Sequence, residues 1–113
     1  MIFSKERPFL LVGAGRMGGA MLSGWIADGV DPSAIVVCDP GPAPEMLAML
    51  SKHGVRHVTE ASADLKPAIV LIAVKPQMMD VVLPGLAPVA LPDTLILSVA
   101  AGTPISRFQK EFG

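Results

Sequence analysis

Four short runs of consecutive apolar residues constrain the fold more than any other feature of the chain. They lie at residues 8–13, 34–39, 68–74 and 94–100. Each run is apolar at successive positions rather than at alternate ones, a pattern typical of strands that are buried on both faces of a parallel sheet. A weaker run at 54–58 predicts a short fifth strand.

Helical patterns separate these runs. Apolar residues at helical spacing predict helices over residues 15–29, 45–53, 77–86 and 104–112, and Thr103 is the expected N-cap of the last one. Alternating strands and helices predict an α/β fold with a doubly wound parallel sheet, Rossmann-like and three layers thick. Because 113 residues suffice for about one domain, we expect residues 1–113 to form one.

Composition and charge exclude several classes of protein. With 51% hydrophobic residues the chain can form a core, and a net charge of -1 with 4% aromatic residues argues against a nucleic-acid or acidic-membrane surface. Cys38 is the only cysteine, which excludes an intrachain disulfide and a cysteine-based zinc site. No apolar run approaches the length of about 20 residues that a membrane helix needs, and no signal peptide is recognised. We therefore expect a cytoplasmic protein.

The glycines that follow the first apolar run match a phosphate-binding motif. Gly13-Ala14-Gly15-Arg16-Met17-Gly18 reads G-x-G-x-x-G between a predicted strand and a predicted helix. In such a loop Gly13 permits the tight turn, Gly15 lets a pyrophosphate approach the backbone, and Gly18 lets the helix pack closely. The N–H groups at the helix start then bind the phosphates. The alternative is a plain glycine-rich turn, in which Arg16 is solvated rather than near a phosphate.

Asp39 ends the second apolar run, about 20 residues after the glycines. An acidic residue at this spacing accepts hydrogen bonds from the adenosine ribose hydroxyls of NAD and repels the 2′-phosphate of NADP. No Lys or Arg lies between Asp39 and Ser51 to bind that phosphate. The residues themselves therefore favour NADH. The alternative is a turn-forming aspartate before Pro40.

The remaining chemistry-bearing residues predict no catalytic or metal site. Cys38 lies within a predicted buried strand and is expected to be an inert thiol. His53 and His57 lack partners at metal-ligand spacing and are expected on the surface. No nucleophile–base pair is visible, which fits hydride transfer, where the cofactor carries the reaction.

Three segments together resemble pyrroline-5-carboxylate reductase over nearly the whole chain. They are VGAGRMGGAML at 12–22, LIAVKPQ at 71–77 and LSVAAGTPI at 97–105. The pairing of A-V-K-P with a later A-A-G is more specific than the glycine loop. The resemblance implies NAD(P)H-dependent reduction of 1-pyrroline-5-carboxylate, a small-molecule substrate, to L-proline. It also implies a homo-oligomer in the full-length form.

The resemblance also implies which residues contact the cofactor. Asp39 and Pro40 would lie near the adenosine ribose, and the predicted carboxyl ends of parallel strands are where such sheets bind ligands. The pyrophosphate would be wrapped by Val12, Gly13, Ala14, Gly15, Arg16 and Met17. The nicotinamide side would be contacted by Ala73, Val74, Lys75 and Pro76, and by Val99, Ala100, Ala101 and Gly102. Lys75 has the alternative of being a solvated loop residue.

Two positions depart from the family pattern. Ala61 stands where the family often has an asparagine, which would remove one polar contact to the cofactor. Asp39 stands where many members have a small hydroxyl residue followed by a basic one. The family commonly uses NADP, so the cofactor is NADP or NAD.

The largest departure is length, because the family continues with a further strand, a substrate loop and a helical dimerisation domain. We expect residues 1–113 to be the dinucleotide-binding domain alone, with catalytic residues beyond Gly113. The strand at 94–100 would then form an exposed edge that invites self-association. Two alternatives remain open. One is the domain of a related oxidoreductase, such as a β-hydroxyacid or prephenate dehydrogenase or a deazaflavin-dependent NADP reductase. The other is a non-catalytic dinucleotide-binding or sensing module.

Overall fold

All five predicted strands form one parallel sheet. The computed structural model describes residues 3–13, 15–74 and 76–98, with the side chains of Arg16, Met17 and Pro76 outside the description. The strands are β1 (Phe9–Val12), β2 (Ile35–Cys38), β3 (Arg56–Val58), β4 (Ile69–Ile72) and β5 (Leu95–Ser98). Their order across the sheet is β3-β2-β1-β4-β5, with every neighbouring pair parallel. The predicted doubly wound Rossmann-like sheet is confirmed.

Three of the four predicted helices lie within the described residues. They are α1 (Arg16–Ala27), α2 (Pro44–His53) and α3 (Met79–Leu86). Proline at the first position of α2 suits a helix start, and Gly54 ends that helix with a left-handed φ of 72°. A 3₁₀ turn at Pro76–Met78 leads into α3. The predicted helix at 104–112 and its cap Thr103 lie outside the described residues.

Alternate residues of the strands enter two separate cores, which explains why the strands are apolar at successive positions. Leu11 of β1 packs with Leu22 of α1 and Leu50 of α2 on one face of the sheet. Leu10 of β1 packs with Leu83 of α3 on the other face. Helices thus cover both faces of the central strands and give the three layers.

The amino ends of the strands are joined by Arg7, which precedes β1. Its Nε donates to the carbonyl oxygen of Lys66 at 2.8 Å, and its Nη2 donates to that of Pro67 at 3.1 Å. Both Nη atoms also donate to the carboxylate of Asp93 at 3.0 Å, which forms a bidentate ion pair. One side chain therefore connects the segments that lead into β1, β4 and β5.

β5 forms one end of the described sheet. Leu95 and Leu97 are 48% and 41% exposed, whereas Ile96 packs against the core on the α3 face. Self-association through this strand stays a prediction, which light scattering at high concentration tests.

Candidate functional site

A cleft of about 630 Å³ opens at the carboxyl edge of the sheet. The strand order reverses direction between β1 and β4, and open α/β sheets bind ligands at such a switch point. The cleft brings together seven residues that the sequence predicted for the cofactor: Val12, Gly13, Gly15, Asp39, Pro40, Ala73 and Val74.

The floor of the cleft is fixed by backbone hydrogen bonds that continue the sheet past the strand ends. The Gly13 N–H donates to the Cys38 carbonyl at 2.9 Å, and the Ala73 N–H donates to the Val12 carbonyl at 2.8 Å. The Asp39 N–H donates to the Val58 carbonyl at 3.0 Å. The loops that carry the predicted site residues therefore leave the sheet from fixed positions.

Gly13 and Gly18 allow the turn from β1 into α1. Gly13 has a φ of +97°, and a Cβ at this position would lie 2.8 Å from the carbonyl oxygen of Ala73. A Cβ on Gly18 would overlap the carbonyl oxygen of Gly13. A side chain on Gly13 would force the turn away from the segment that follows β4, and one on Gly18 would push α1 away from the end of β1. Gly13 therefore permits the tight turn and Gly18 the close packing of the helix, as the motif predicts.

Gly15 differs from its neighbours because nothing in the described protein surrounds the position of its missing side chain. A Cβ on Gly15 would meet no heavy atom within 4 Å, and the residue lines the cleft. Gly15 is also the N-cap of α1, which has no side-chain cap and no acidic residue in its first turn. N–H groups of a first helical turn lack intrahelical acceptors and carry partial positive charge. This open cradle fits the pyrophosphate of a dinucleotide.

The Asp39 carboxylate forms a turn and lines the cleft at the same time. One of its oxygens accepts a hydrogen bond from the Gly41 N–H at 2.8 Å, as a turn-forming aspartate does. A carboxylate has about four acceptor positions, so this bond is compatible with ribose recognition. The two sequence-based interpretations of Asp39 therefore do not exclude each other.

His57, which was expected on the surface, is only partly exposed and has a hydrogen-bond partner that the sequence did not predict. His57 is half-buried, and its Nε2 lies 2.8 Å from the carbonyl oxygen of Asp39. His53, by contrast, is exposed at the end of α2 as predicted. The sequence could not distinguish the two histidines, because the contact depends on how β3 is registered against β2.

Cys38 is buried at the end of β2, where it forms part of the cleft wall. Burial raises the pKa of its thiol, and the negative charges of Asp39 and Glu60 raise it further. Since the thiolate is the reactive form, the structure supports the prediction of an inert thiol.

Several cleft residues were missed by sequence reasoning. Thr59 and Glu60 follow β3, next to Ala61, and a larger group comes from the segment of α3. The composition of α3 could have indicated the α3 residues, because this helix has more apolar residues than the one face that packs against the core requires. Val81 is 71% exposed despite its size, which marks this second face. This part of the cleft wall consists of Met78 from the 3₁₀ turn and of Val81, Val82, Gly85 and Leu86 from α3.

The other predicted contacts lie outside the described residues and stay predictions. They are Ala14, Lys75, Val99, Ala100, Ala101 and Gly102, together with the side chains of Arg16, Met17 and Pro76. Within residues 3–13, 15–74 and 76–98, no three His, Cys, Asp or Glu side chains are placed to hold a metal ion. Nor does any helix in that part of the chain have the length and apolar character to cross a membrane.

A family model described as NADP oxidoreductase, coenzyme F420-dependent, matches residues 9–102. The chain belongs to this family. The match covers the glycine loop, Asp39 and the sheet that positions them, and the chain is thus an NAD(P)-binding oxidoreductase domain.

Curated relatives of this NAD(P)-binding oxidoreductase domain include pyrroline-5-carboxylate reductases. The Pseudomonas aeruginosa protein is 35% identical over 104 residues, which are 90% of this chain and 37% of the relative. The Escherichia coli K12 protein is 33% identical over 110 residues, which are 96% of this chain and 40% of the relative. The chain therefore spans less than half the length of these relatives.

Solved structures show the same architecture. A pyrroline-5-carboxylate reductase from Coxiella burnetii superposes with a TM-score of 0.79 at 26% identity, over 96% of this chain and 40% of that one. Prephenate dehydrogenase from A. aeolicus gives a TM-score of 0.75 at 19% identity, over 95% and 38% of the two chains. The second likeness shows only that the two chains share a fold.

Proposed function

We propose that this domain binds NAD(P)H for the reduction of 1-pyrroline-5-carboxylate to L-proline. The open cradle at Gly15, placed at the switch point of the sheet, is the observation that carries the cofactor site. The names of the curated relatives support the substrate and favour it over the dehydrogenase and sensing alternatives. When bound, the reduced nicotinamide would supply the hydride for the C=N carbon.

The chain's own residues would bind and orient the dinucleotide along the cleft. The N–H groups at the start of α1 would hold the pyrophosphate. Asp39 would accept hydrogen bonds from the adenosine ribose, and the apolar wall formed by Val81 and Val82 would cover the adenine. We assign the nicotinamide end to Ala73 and Val74 with Lys75 and Pro76, and to Val99, Ala100, Ala101 and Gly102.

We further propose that the domain prefers NADH to NADPH. Among the cleft residues that the structure describes, the charged ones are Asp39 and Glu60, and both are acidic. The 2′-phosphate of NADPH would enter the field of these carboxylates, which repel it. The free-energy cost falls on NADPH alone, because the rest of the two molecules is the same.

Isothermal titration with NADH and NADPH tests the proposal. We expect NADH to bind about tenfold or more tightly, a difference of about 1.4 kcal/mol. Gly15→Ala should weaken NADH binding by a similar factor, since the added methyl group enters the cleft. It should cost no more than about 1 kcal/mol of stability at a helix cap.

Gly24→Ala is the matched control for this variant. Gly24 is an exposed glycine of the same helix, where a Cβ also meets no atom within 4 Å. Its substitution should leave NADH affinity unchanged. If Gly15→Ala bound NADH as tightly as the Gly24 variant, the pyrophosphate would not lie in the cradle. Equal affinity for NADH and NADPH would contradict the proposed preference for NADH but not the proposed cofactor site.

A further inference from the structure

We infer that His57 is a positioning residue that sets the preference for NADH by holding the main chain of Asp39 in place. The inference rests on the proposed function, in which the Asp39 carboxylate receives the adenosine ribose. His57 belongs to β3 and is paired in the sheet with Val37, so its backbone is fixed independently of the loop that follows β2. Only its side chain reaches that loop.

Asp39 is held through its amide, its carbonyl and its carboxylate. Its N–H donates to the Val58 carbonyl at 3.0 Å, and its carboxylate accepts from the Gly41 N–H at 2.8 Å. Its carbonyl oxygen lies 2.8 Å from His57 Nε2. A carbonyl oxygen can only accept a hydrogen bond, so the geometry assigns the hydrogen to Nε2 of His57.

The donation from His57 matters because the sheet ladder stops at this point. The last paired residues of β2 and β3 are Cys38 and Val58, and the residue after Asp39 is a proline, which has no N–H. Beyond Asp39 the chain runs through Pro40, Pro42 and Pro44, so few backbone donors are available to fix it. The His57 side chain supplies a fixed donor where the ladder ends.

The contact affects the two cofactors differently. Ribose hydroxyls of NADH would bind the Asp39 carboxylate, and a hydrogen bond of this kind depends steeply on distance and angle. NADPH carries a phosphate at the 2′ position and would gain little from that carboxylate. Loosening Asp39 should therefore weaken NADH binding much more than NADPH binding, whereas general damage to the cleft would weaken both.

A double-mutant cycle with both dinucleotides tests the inference. His57→Ala should raise the Kd for NADH about fivefold or more and change the Kd for NADPH less than twofold. His57→Gln should restore most of the loss, because its amide N–H₂ can donate to the same carbonyl. In an Asp39→Asn background, which keeps an acceptor for Gly41, His57→Ala should have almost no further effect. His53→Ala is the matched control, an exposed histidine outside the cleft, and should bind as the unmodified chain does.

The outcomes separate the inference from the proposed function. If the unmodified chain binds neither dinucleotide, the proposed function fails, and the role of His57 fails with it. If NADH binds and Asp39→Asn weakens it, but His57→Ala is equally damaging with and without Asp39, only the positioning role is overturned. Equal weakening of NADH and NADPH by His57→Ala would overturn it in the same way. Thermal melting of each variant verifies that the folded chain is being compared.

Discussion

Two glycines close together in sequence illustrate how differently one residue type is used. Gly13 adopts a left-handed φ of +97° under the carbonyl of Ala73, a conformation that a residue with a Cβ rarely adopts. Gly24 lies in the exposed part of α1, where a Cβ has open space around it. The motif predicted the first role from sequence, because G-x-G-x-x-G describes a backbone shape rather than a set of side chains.

Substituting each glycine by alanine should change stability in opposite directions. Gly13→Ala should lower the free energy of unfolding by about 2 kcal/mol or more, because it adds backbone strain and a close contact. Gly24→Ala should raise it by about 0.5–1 kcal/mol, since alanine loses less entropy in a helix. Urea unfolding followed by the fluorescence of Trp25, whose ring packs 4.9 Å from that of Phe9, measures both. If Gly13→Ala left the free energy of unfolding unchanged, the turn would not require a glycine at this position.

At the scale of elements, sequence patterns predicted the strands and helices well and their contacts poorly. The apolar runs located β1, β2 and β4, because burial on both faces leaves no polar position within them. The run at 94–100 and the weaker run at 54–58 located the two outer strands, which are less buried. The second apolar face of α3 and the contact of His57 with Asp39 were missed. The composition of α3 indicates a second apolar face, but what that face lines, and what His57 contacts, depends on which segments the sheet brings together.

The contacts of Arg7 link the segments that lead into three strands, and they should make the stability of the fold depend on pH. The hydrogen bond from Arg7, aided by its charge, holds the pKa of the Asp93 carboxyl below its usual range. A depressed folded-state pKa adds stability above the unfolded value of about 3.9, and that stability is lost as the pH falls through the folded pKa.

Asp93→Asn should therefore lower the Tm near pH 7 by about 2–4 °C, a modest effect because the pair is exposed to solvent. The difference between the two proteins should shrink steadily towards pH 3. Hydrogen bonds from Ser33 and Ser62 lower the pKa of the carboxyls of Asp31 and Asp64 as well, so the difference between variant and unmodified chain is the quantity to measure. In an Arg7→Met background Asp93→Asn should have no effect on Tm; a persisting difference would assign the stability to another partner of Asp93.

At the scale of the whole molecule, the described cleft accounts for a cofactor and not for a substrate. Its described charged groups are acidic, whereas the substrate of the proposed reaction is itself a carboxylate. The relatives are more than twice as long as this chain, and the resemblance assigns the substrate loop to that additional length. We therefore expect this chain to bind the cofactor without efficient turnover of the substrate.

The 113-residue chain should bind NADH yet reduce 1-pyrroline-5-carboxylate about tenfold or more slowly than a full-length homologue. Oxidation of NADH, followed by its absorbance with and without the imine, measures this. The Pseudomonas aeruginosa reductase, assayed under the same conditions, is a suitable reference. Equal rates from the two proteins would show that the catalytic groups already lie within residues 1–113.

The cradle and the ribose acceptor differ in what they are made of, and this has an evolutionary consequence. The pyrophosphate would meet main-chain amides, which a single substitution does not remove, whereas the ribose would meet one side chain on a proline-rich loop. A substitution at Asp39 would therefore change the choice between the two adenine dinucleotides, and one at His57 would weaken the preference for NADH. On this arrangement the source of reducing power could change during evolution while the pyrophosphate site stays the same.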